Sequence, residues 1–294
     1  MKKSKLTTII IVTINGKVLI DVISKLSKRY RIIIVENNKD YKFKNSIIKK
    51  NRNIEVLVPK KNIGFASGNN LALKMVKTPY VLLLNPDVVL NENNIRQFEY
   101  TAKKNKNFSI FAPNCNGFNQ IMETNLDKLS NVSFSKKKLN NITEIPWVPG
   151  WCMFCNYKLI RKVNFFDKNF FLYFEEVDLC KRLQKLGHKF YLIKKNKIIH
   201  NYHGTSKNLS KENELKHWQL RLWHYYWSSF YFHRKHYGFV NSFFSHISKL
   251  IRFTIKKYAS LIKNDDKSYI LSKAKANGLI AQIFNKKSFF RVKL

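Results

Sequence analysis

Four short aliphatic runs mark the first part of the chain, at residues 6–12, 31–35, 54–58 and 80–84, and each stops at polar or turn-forming residues. Runs of this length, β-branched or aliphatic and bounded in this way, read as buried strands. Between them Val18, Leu19, Val22, Ile23 and Leu26 recur at helical spacing, as do Leu71, Leu73, Met75 and Val76 with less regularity. Strand alternating with helix predicts a parallel, doubly wound sheet, whose ligands bind beyond the carboxyl ends of the strands. Those ends carry Thr13 to Gly16, then Glu36 to Asn38, then Asn62 to Gly68, then Asn85 to Asp87. All are polar, small or acidic, and four such ends feeding one crevice make a candidate site. Pro86 cannot donate to a sheet and holds Asn85 extended, so Asp87 projects just past the fourth strand, placed to meet a divalent cation or a diphosphate.

A second concentration of chemistry lies at residues 170–180, FFLYFEEVDLC, where Glu175, Glu176 and Asp178 fall at the mouth of a predicted helix behind an aromatic wall. The expected buried stripe is Leu179, Leu183 and Leu186, with Gly187 as the C-terminal cap. Carboxylates in a first turn meet the positive end of the helix dipole. That field keeps them ionised near neutral pH, the state a general base needs. Ordinary helix-start chemistry is the plain alternative.

The segments VTING (12–16), IVENNKD (34–40), NIGFASGNN (62–70), LLNPDV (83–88), FFLYFEEVDLCKR (170–182) and IIHNYHGTS (198–206) resemble, in order and spacing, family-2 glycosyltransferases of the GT-A fold. The likeness is especially to bacterial rhamnosyltransferase-like members that build surface polysaccharides such as O-antigen and capsule. It implies a Rossmann-like, doubly wound mixed sheet and an inverting transfer of a sugar from a nucleotide-diphosphate donor, dTDP-rhamnose being the first to consider. The implied acceptor is polyprenyl-linked or a growing oligosaccharide, and the implied cofactor is Mg²⁺ or Mn²⁺. Thr13 and Glu36, with Asn15 and Asn38 beside them, match positions that hold the nucleotide. Asn62, Gly64 and Asn69 match the loop over the diphosphate and sugar. Asp87 matches the metal-binding aspartate of a reduced D-x-D motif that begins at Asn85. His200 matches a histidine near the metal, with His203 as its competitor. Glu176 occupies the place of the catalytic base, with Glu175 as the alternative, and Trp147, Gly150, Trp151 and Asp178 are assigned to the sugar and acceptor side.

The resemblance covers about residues 5–206, which suggests a catalytic domain over 1–206 and a helical, basic and aromatic extension over 207–294. The extension alternates Trp218, Trp223, Tyr225, Tyr226, Trp227, Phe230 and later Phe243, Phe244, Ile251 and Ile255 with Lys249, Arg252, Lys256 and Lys257. Helices of this kind lie in an anionic membrane interface, although an aromatic subdomain packed on itself would read similarly. The whole chain has 55 Lys and Arg against 18 Asp and Glu, a net +37, spread along its length. An anionic surface is therefore expected as a partner. Basic charge with interleaved aromatics also fits a nucleic-acid binder, but no RNA or DNA module is visible. A nucleotide-dependent oxidoreductase would explain Glu36 about twenty residues after Gly16, yet the G-x-G-x-x-G fingerprint is missing.

Lys2, Lys3 and Lys5 precede an apolar run too short for a signal peptide, and no stretch is long enough for a membrane span. The expectation is a cytoplasmic protein, peripheral at the inner face of the cell membrane. Cys152 and Cys155 form a C-x-x-C, but positions three apart on a strand face opposite sides, so a shared metal is not expected. Residues 114–146, rich in Asn, Lys and Ser, read as a long surface loop. The oligomeric state is not encoded in any of these features.

Overall fold

A computed structural model describes residues 4–19, 23, 26, 28–115, 138, 139, 141–201 and 210–291. The chain divides into two compact units, Met1–Asp167 with Glu176–Thr205, and Lys168–Glu175 with Ser206–Leu294. The second unit thus takes in a segment of the FFLYFEEVDLC motif that a linear division at residue 206 leaves with the first.

The first unit is built on one mixed sheet. Its strands are β1 (Thr7–Thr13), β2 (Arg31–Glu36), β3 (Ile54–Leu57), β4 (Tyr80–Leu84), β5 (Val88–Val89), β6 (Phe108–Cys115), β7 (Lys138–Leu139), β8 (Ile142–Ile145), β9 (Cys152–Asn156) and β10 (Lys189–His200). The order is β3-β2-β1-β4-β9-β6-β10-β8-β7, with β5 pairing β10 off this path. Strands β3, β2, β1 and β4 are parallel, and every residue of β1 is buried. A parallel strand is covered on both faces, which is why it reads as a continuous apolar run rather than an alternation. Winding runs outward from β1 to β3 and then reverses to β4. The switch point therefore falls between β1 and β4, and their carboxyl ends border a crevice. Strand β9 enters antiparallel between β4 and β6 and makes the sheet mixed. Phe98 stacks on its Phe154, ring centroids 5.0 Å apart, in the core beneath.

The helices of this unit are α1 (Tyr41–Lys50), α2 (Gly64–Leu73), α3 (Glu92–Lys104), α4 (Tyr157–Lys162) and α5 (Glu175–Gln184), the last contributing all but its first residue. Two start where side-chain oxygens take up free amides. Asp40 accepts from the Phe43 amide at 2.8 Å, and Asn91 and Asn94 form a reciprocal capping box. Helix α2 differs from the sequence expectation, since it begins at Gly64 rather than near Leu71. Its first turns carry small residues instead of an apolar stripe because it lies against β1, where a Cβ on Gly68 would sit 2.9 Å from Val12 Cγ1. Helix α5 forms as expected, with Leu179 and Leu183 fully buried, but Leu186 is exposed. The regular helix ends at Gln184, two residues before Leu186, and the chain leaves through Gly187 at φ +77, the expected cap, where the His188 amide returns to the Leu183 carbonyl. Much of the helix expected at residues 18–26 lies outside the described residues.

The C-x-x-C falls on β9 as an extended segment. All four cysteines are free and buried, and burial raises the Cys152 and Cys155 thiols well above their ordinary value and Cys180 to about 12. Cys152, Cys155 and Cys180 are therefore protonated packing groups.

The second unit is a helical bundle of α6 (Lys211–Tyr237), α7 (Phe239–Ile262) and α8 (Asp266–Ile283). Ser210 caps α6, and Gly238 at φ +87 makes the turn into α7. Trp223, Trp227, Ala274 and Ala281 form one core cluster, and Phe230, Phe253, Ala276 and Leu279 form another. Helices α6 and α8 approach closely at Gly278, where a Cβ would lie 2.4 Å from the Trp223 carbonyl oxygen. The segment Lys168–Glu175 packs on α6 through Phe170 against Tyr231 and Phe174 against Phe232. Much of the aromatic content of the extension is thus internal packing. Among the described residues no helix is long and apolar enough to cross a membrane.

Candidate active site

At the carboxyl ends of β1 and β2 the chain turns through polar groups that bond one another. Thr13 Oγ1 accepts from the Asn15 amide at 3.0 Å, and Glu36 Oε1 accepts from the Asn38 amide at 2.8 Å. Glu36 is fully buried, and its other carboxylate oxygen has no hydrogen-bond partner within the protein. Burial raises its pKa, against which the backbone amides of Asn38 and Gly16 pull it down. A buried carboxylate oxygen left open in this way is costly unless a ligand completes it.

Helix α2 supplies the next wall. Asn62 Oδ1 accepts from the Gly64 amide at 2.9 Å, Gly64 takes φ +81, and Asn69 donates to the Phe65 carbonyl at 3.0 Å. Asn37, one of the polar group at the end of β2 but assigned no role from sequence, joins this wall to the sheet. Its side chain is buried, donates to the Gly64 carbonyl at 3.2 Å, and its amide bonds Thr13 across the strand ends at 2.8 Å. No periodicity announces such a residue. Its only sequence signal is a second amide side chain beside Asn38 at a strand end.

The second group is assembled by β10. From Asn196 onward this strand alternates strictly, with Asn196, Ile198 and His200 inward. It pairs antiparallel with β5, opposing His200 to Val88, and the Asn201 amide bonds the Asp87 carbonyl at 2.9 Å. This staple brings His200 Nε2 within 3.2 Å of Asp87 Oδ1. Behind it Asn196 and Asn94 exchange hydrogen bonds of 2.7 and 3.1 Å that tie α3 to β10. These two residues escaped the sequence reading.

Trp151 connects the pair to α5. Its ring stacks on His200 at 5.4 Å between centroids, and its carbonyl accepts from the Asn85 amide at 2.9 Å. One residue earlier, a Cβ on Gly150 would lie 3.5 Å from Glu176 Cδ. Asn85, Asp87, Gly150, Trp151, Glu176 and His200 therefore form one contiguous set. Glu175 is buried and Glu176 half-buried as whole residues, and one carboxylate oxygen of each is enclosed. Just before α5, Tyr173 and Phe174 take φ +68 and +65. Such left-handed geometry costs a non-glycine residue about 1–3 kcal/mol.

The other expected acceptor-side residues are placed differently. Trp147 is buried, with its indole N–H unmatched by any protein acceptor. Asp178 is fully enclosed and holds Arg182 at 2.8 Å, and that guanidinium also bonds the carbonyls of Val163 and Phe165. Its visible work is to fasten α5 to the segment after α4. His203 lies outside the described residues. Among the described residues no group of three His, Cys, Asp or Glu is arranged to hold a metal. Asp87 and His200 nonetheless offer one carboxylate and one imidazole side by side, a donor pair suited to Mg²⁺ or Mn²⁺ when further oxygens come from a bound ligand.

The chain is similar to rhamnosyltransferase WbbL of Escherichia coli (strain K12), 26% identical over 167 residues, which cover 49% of this chain and 63% of that protein. It is also similar to the low-salt glycan biosynthesis hexosyltransferase Agl10 of Haloferax volcanii, 25% identical over 136 residues, or 42% of this chain and 44% of the relative. The match spans less than two thirds of either relative's length. Among solved structures, the mannosyltransferase PcManGT from Pyrobaculum calidifontis in complex with GDP-Man and Mn²⁺ superposes with a TM-score of 0.57 at 7% identity, over 96% of this chain and 88% of that one. GalNAc-T7 with UDP, GalNAc and Mn²⁺ gives 0.52 at 10% identity, over 66% and 43%. At such identities the likeness is one of fold, and the fold is GT-A. The sequence profile of Glycosyl transferase family 2 matches residues 8–163, more than half of the 294, and the chain belongs to that family.

Proposed function

We propose that this protein is an inverting glycosyltransferase that moves a sugar from a nucleotide-diphosphate donor to a polyprenyl-linked or growing oligosaccharide acceptor of a surface polysaccharide of the O-antigen or capsule kind. The observation that carries the reading is the joining of Asp87 and His200 at 3.2 Å, with Glu176 reached through Gly150 and Trp151. dTDP-rhamnose is the first donor to consider, in keeping with the name of the Escherichia coli relative. UDP-sugars come next.

In this reading Thr13, Asn15, Glu36 and Asn38 hold the nucleotide, and Asn62, Gly64 and Asn69 border the diphosphate and sugar. Glu176 takes the proton of an acceptor hydroxyl as its oxygen attacks the anomeric carbon from the face opposite the diphosphate. The new C–O bond forms as the old one breaks, and the diphosphate leaves with the electron pair. Base assistance of this kind contributes about 10²- to 10⁴-fold. Asp87 and His200 would hold Mg²⁺ or Mn²⁺, which when bound supplies Lewis-acid stabilisation of the charge growing on the diphosphate. Trp147, Gly150 and Trp151 border the acceptor. The unit containing residues 207–294, with 18 basic and 4 acidic residues there, brings the chain to an anionic membrane surface where a polyprenyl-linked acceptor would lie.

The test is a thermal-shift screen of nucleoside diphosphates and nucleotide sugars with and without Mn²⁺. Ligand stabilisation scales as RT ln(1 + [L]/Kd), so a true donor stands out from NAD and oligonucleotides. Asp87→Asn should remove the metal-dependent part of the shift and His200→Ala should reduce it. A shift indifferent to both EDTA and Asp87→Asn would take the metal out of the mechanism. Stabilisation by NAD alone would overturn the transferase reading.

A further inference from the structure

Helix α7 is oriented against the usual rule for a bundle. Its inward face carries Ser242, His246 and Ser260 beside Phe253, all buried. Its outward face carries Val240, Phe244, Ile251, Ile255, Tyr258 and Ile262, each more than half exposed and Ile262 85% so. The spacings between these six residues keep them on one stripe of the helix, about 33 Å long at 1.5 Å per residue. The helix has four cations, Lys249, Arg252, Lys256 and Lys257, and no acidic residue. Arg252 and Lys256 are exposed and each follows a stripe isoleucine, while Lys257 lies 4.1 Å over the Tyr258 ring. Large exposed apolar stripes mark interaction sites.

We infer that the outward face of α7 is the membrane-contacting surface of this protein, lying in the plane of an anionic bilayer with the Val240-to-Ile262 stripe in the acyl boundary and the cations among lipid phosphates. The inference rests on the membrane part of the function proposed above and is independent of the sugar chemistry. It assigns contact to α7 and removes Trp223, Trp227, Phe230 and Phe232 from it, since these are at most 2% exposed. Charge decides the occupant. A second copy of the chain would set one row of cations against another with no acid between them. An anionic headgroup layer offers phosphates to the cations and hydrocarbon to the stripe, and long Lys and Arg side chains reach the former while their stems cover the latter.

The experiment uses the full chain with vesicles of phosphatidylcholine alone or with 30% phosphatidylglycerol. The chain is expected to bind the anionic vesicles and to be released by high salt. The doubly substituted Phe244→Glu/Ile255→Glu chain should bind at least about 10-fold more weakly with an unchanged circular dichroism spectrum, because both positions face solvent. Phe244→Trp should shift its emission to the blue on adding vesicles. Arg252→Gln with Lys256→Gln should weaken binding to anionic vesicles only. If the unsubstituted chain binds no vesicles, the membrane reading fails as a whole, and this inference with it. If it binds, but the double glutamate substitution binds equally and Phe244→Trp shows no shift, the assignment to α7 fails while membrane association stands. Dimerisation abolished by the glutamates, without vesicle binding, would make this face a self-interface and overturn the inference.

Discussion

The two units of this chain dispose of their polar groups in opposite ways. In the sheet unit Glu36, Asn37 and Asp87 lie at or just past strand ends and Asn69 in the helix beside them, backed by wholly buried strands such as β1. In the helical unit His224, Ser229, His233, Ser242 and His246 lie inside among the aromatics, while α7 turns isoleucines and a phenylalanine outward. The buried histidines are satisfied within the bundle, His246 by Ser229 at 2.9 Å and by the Ser242 carbonyl at 2.8 Å, His224 by the Phe290 carbonyl at 2.9 Å. Glu36 is left half-answered. Buried polar groups that satisfy one another specify packing, whereas one that waits for a partner points to a ligand. The first unit is organised around what it binds and the second around itself and whatever meets its outer face.

The largest effect expected from breaking this contrast is catalytic. Glu176→Gln keeps the shape of the half-buried side chain and removes the proton acceptor, so turnover should fall at least about 100-fold while donor affinity hardly changes. Steady-state kinetics beside nucleotide titration measures both. Loss in Glu175→Gln with near-normal turnover in Glu176→Gln would transfer the role to the buried neighbour.

Next come the two glycines that set helix approach in each unit. Gly278→Ala drives a methyl to 2.4 Å from a backbone carbonyl oxygen, and Gly68→Ala drives one to 2.9 Å from a valine methyl group. Overpacking costs about 1–3 kcal/mol, and the backbone contact, which yields less easily than a side chain, should be the more damaging. Chemical denaturation checks the order. Gly68→Ala should in addition weaken nucleotide binding if α2 and β1 border the donor as proposed. A Gly278→Ala chain that binds nucleotide normally at a lower midpoint would sharpen the distinction, and equal loss of nucleotide binding in both would blur it.

The smallest effect is the response to acid. Burial lowers the pKa of His246 to about 4 and of His224 to about 3, and lowers His233 as well. With folded values below the unfolded one near 6.5, protonation favours the unfolded chain, so stability present at neutral pH is lost as pH falls from about 6.5 toward 4. Glu36 acts the other way. Its folded pKa is raised, so its ionisation costs stability as pH rises through and above the ordinary carboxylate range. Limited proteolysis across this pH window should release fragments of the helical unit first, and His246→Gln should flatten the dependence. Early cleavage confined to the sheet unit would contradict the account.

Much of the sheet unit could be read in one dimension. The four strand runs, the extended C-x-x-C and the carboxylates at the start of α5 come from local apolar pattern and turn chemistry, which depend only on near neighbours in the chain. Helix α2 was misplaced because its small residues are chosen for contact with Val12 rather than for an apolar period. Leu186 departs from the expected stripe because the regular helix ends two residues before it, at Gln184. The residues proposed for the nucleotide do lie at strand ends, but the bracing roles of Asn37, Asn94 and Asn196 are not legible in the sequence, since an amide side chain looks alike on a surface and in a buried brace.

What the sequence determined by itself is the set of elements and the chemical character of their ends, because hydrophobic periodicity and capping are short-range. Tertiary structure alone decided that the β5–β10 pairing would bring His200 to Asp87 and that Gly150 would come up against Glu176, since register and crossing contacts join residues far apart in the chain. It also decided which side of α7 faces out. That helix carries apolar residues around most of its circumference, and only packing against α6 and α8 selects the serine- and histidine-bearing face for the interior, leaving the isoleucine stripe to meet something else.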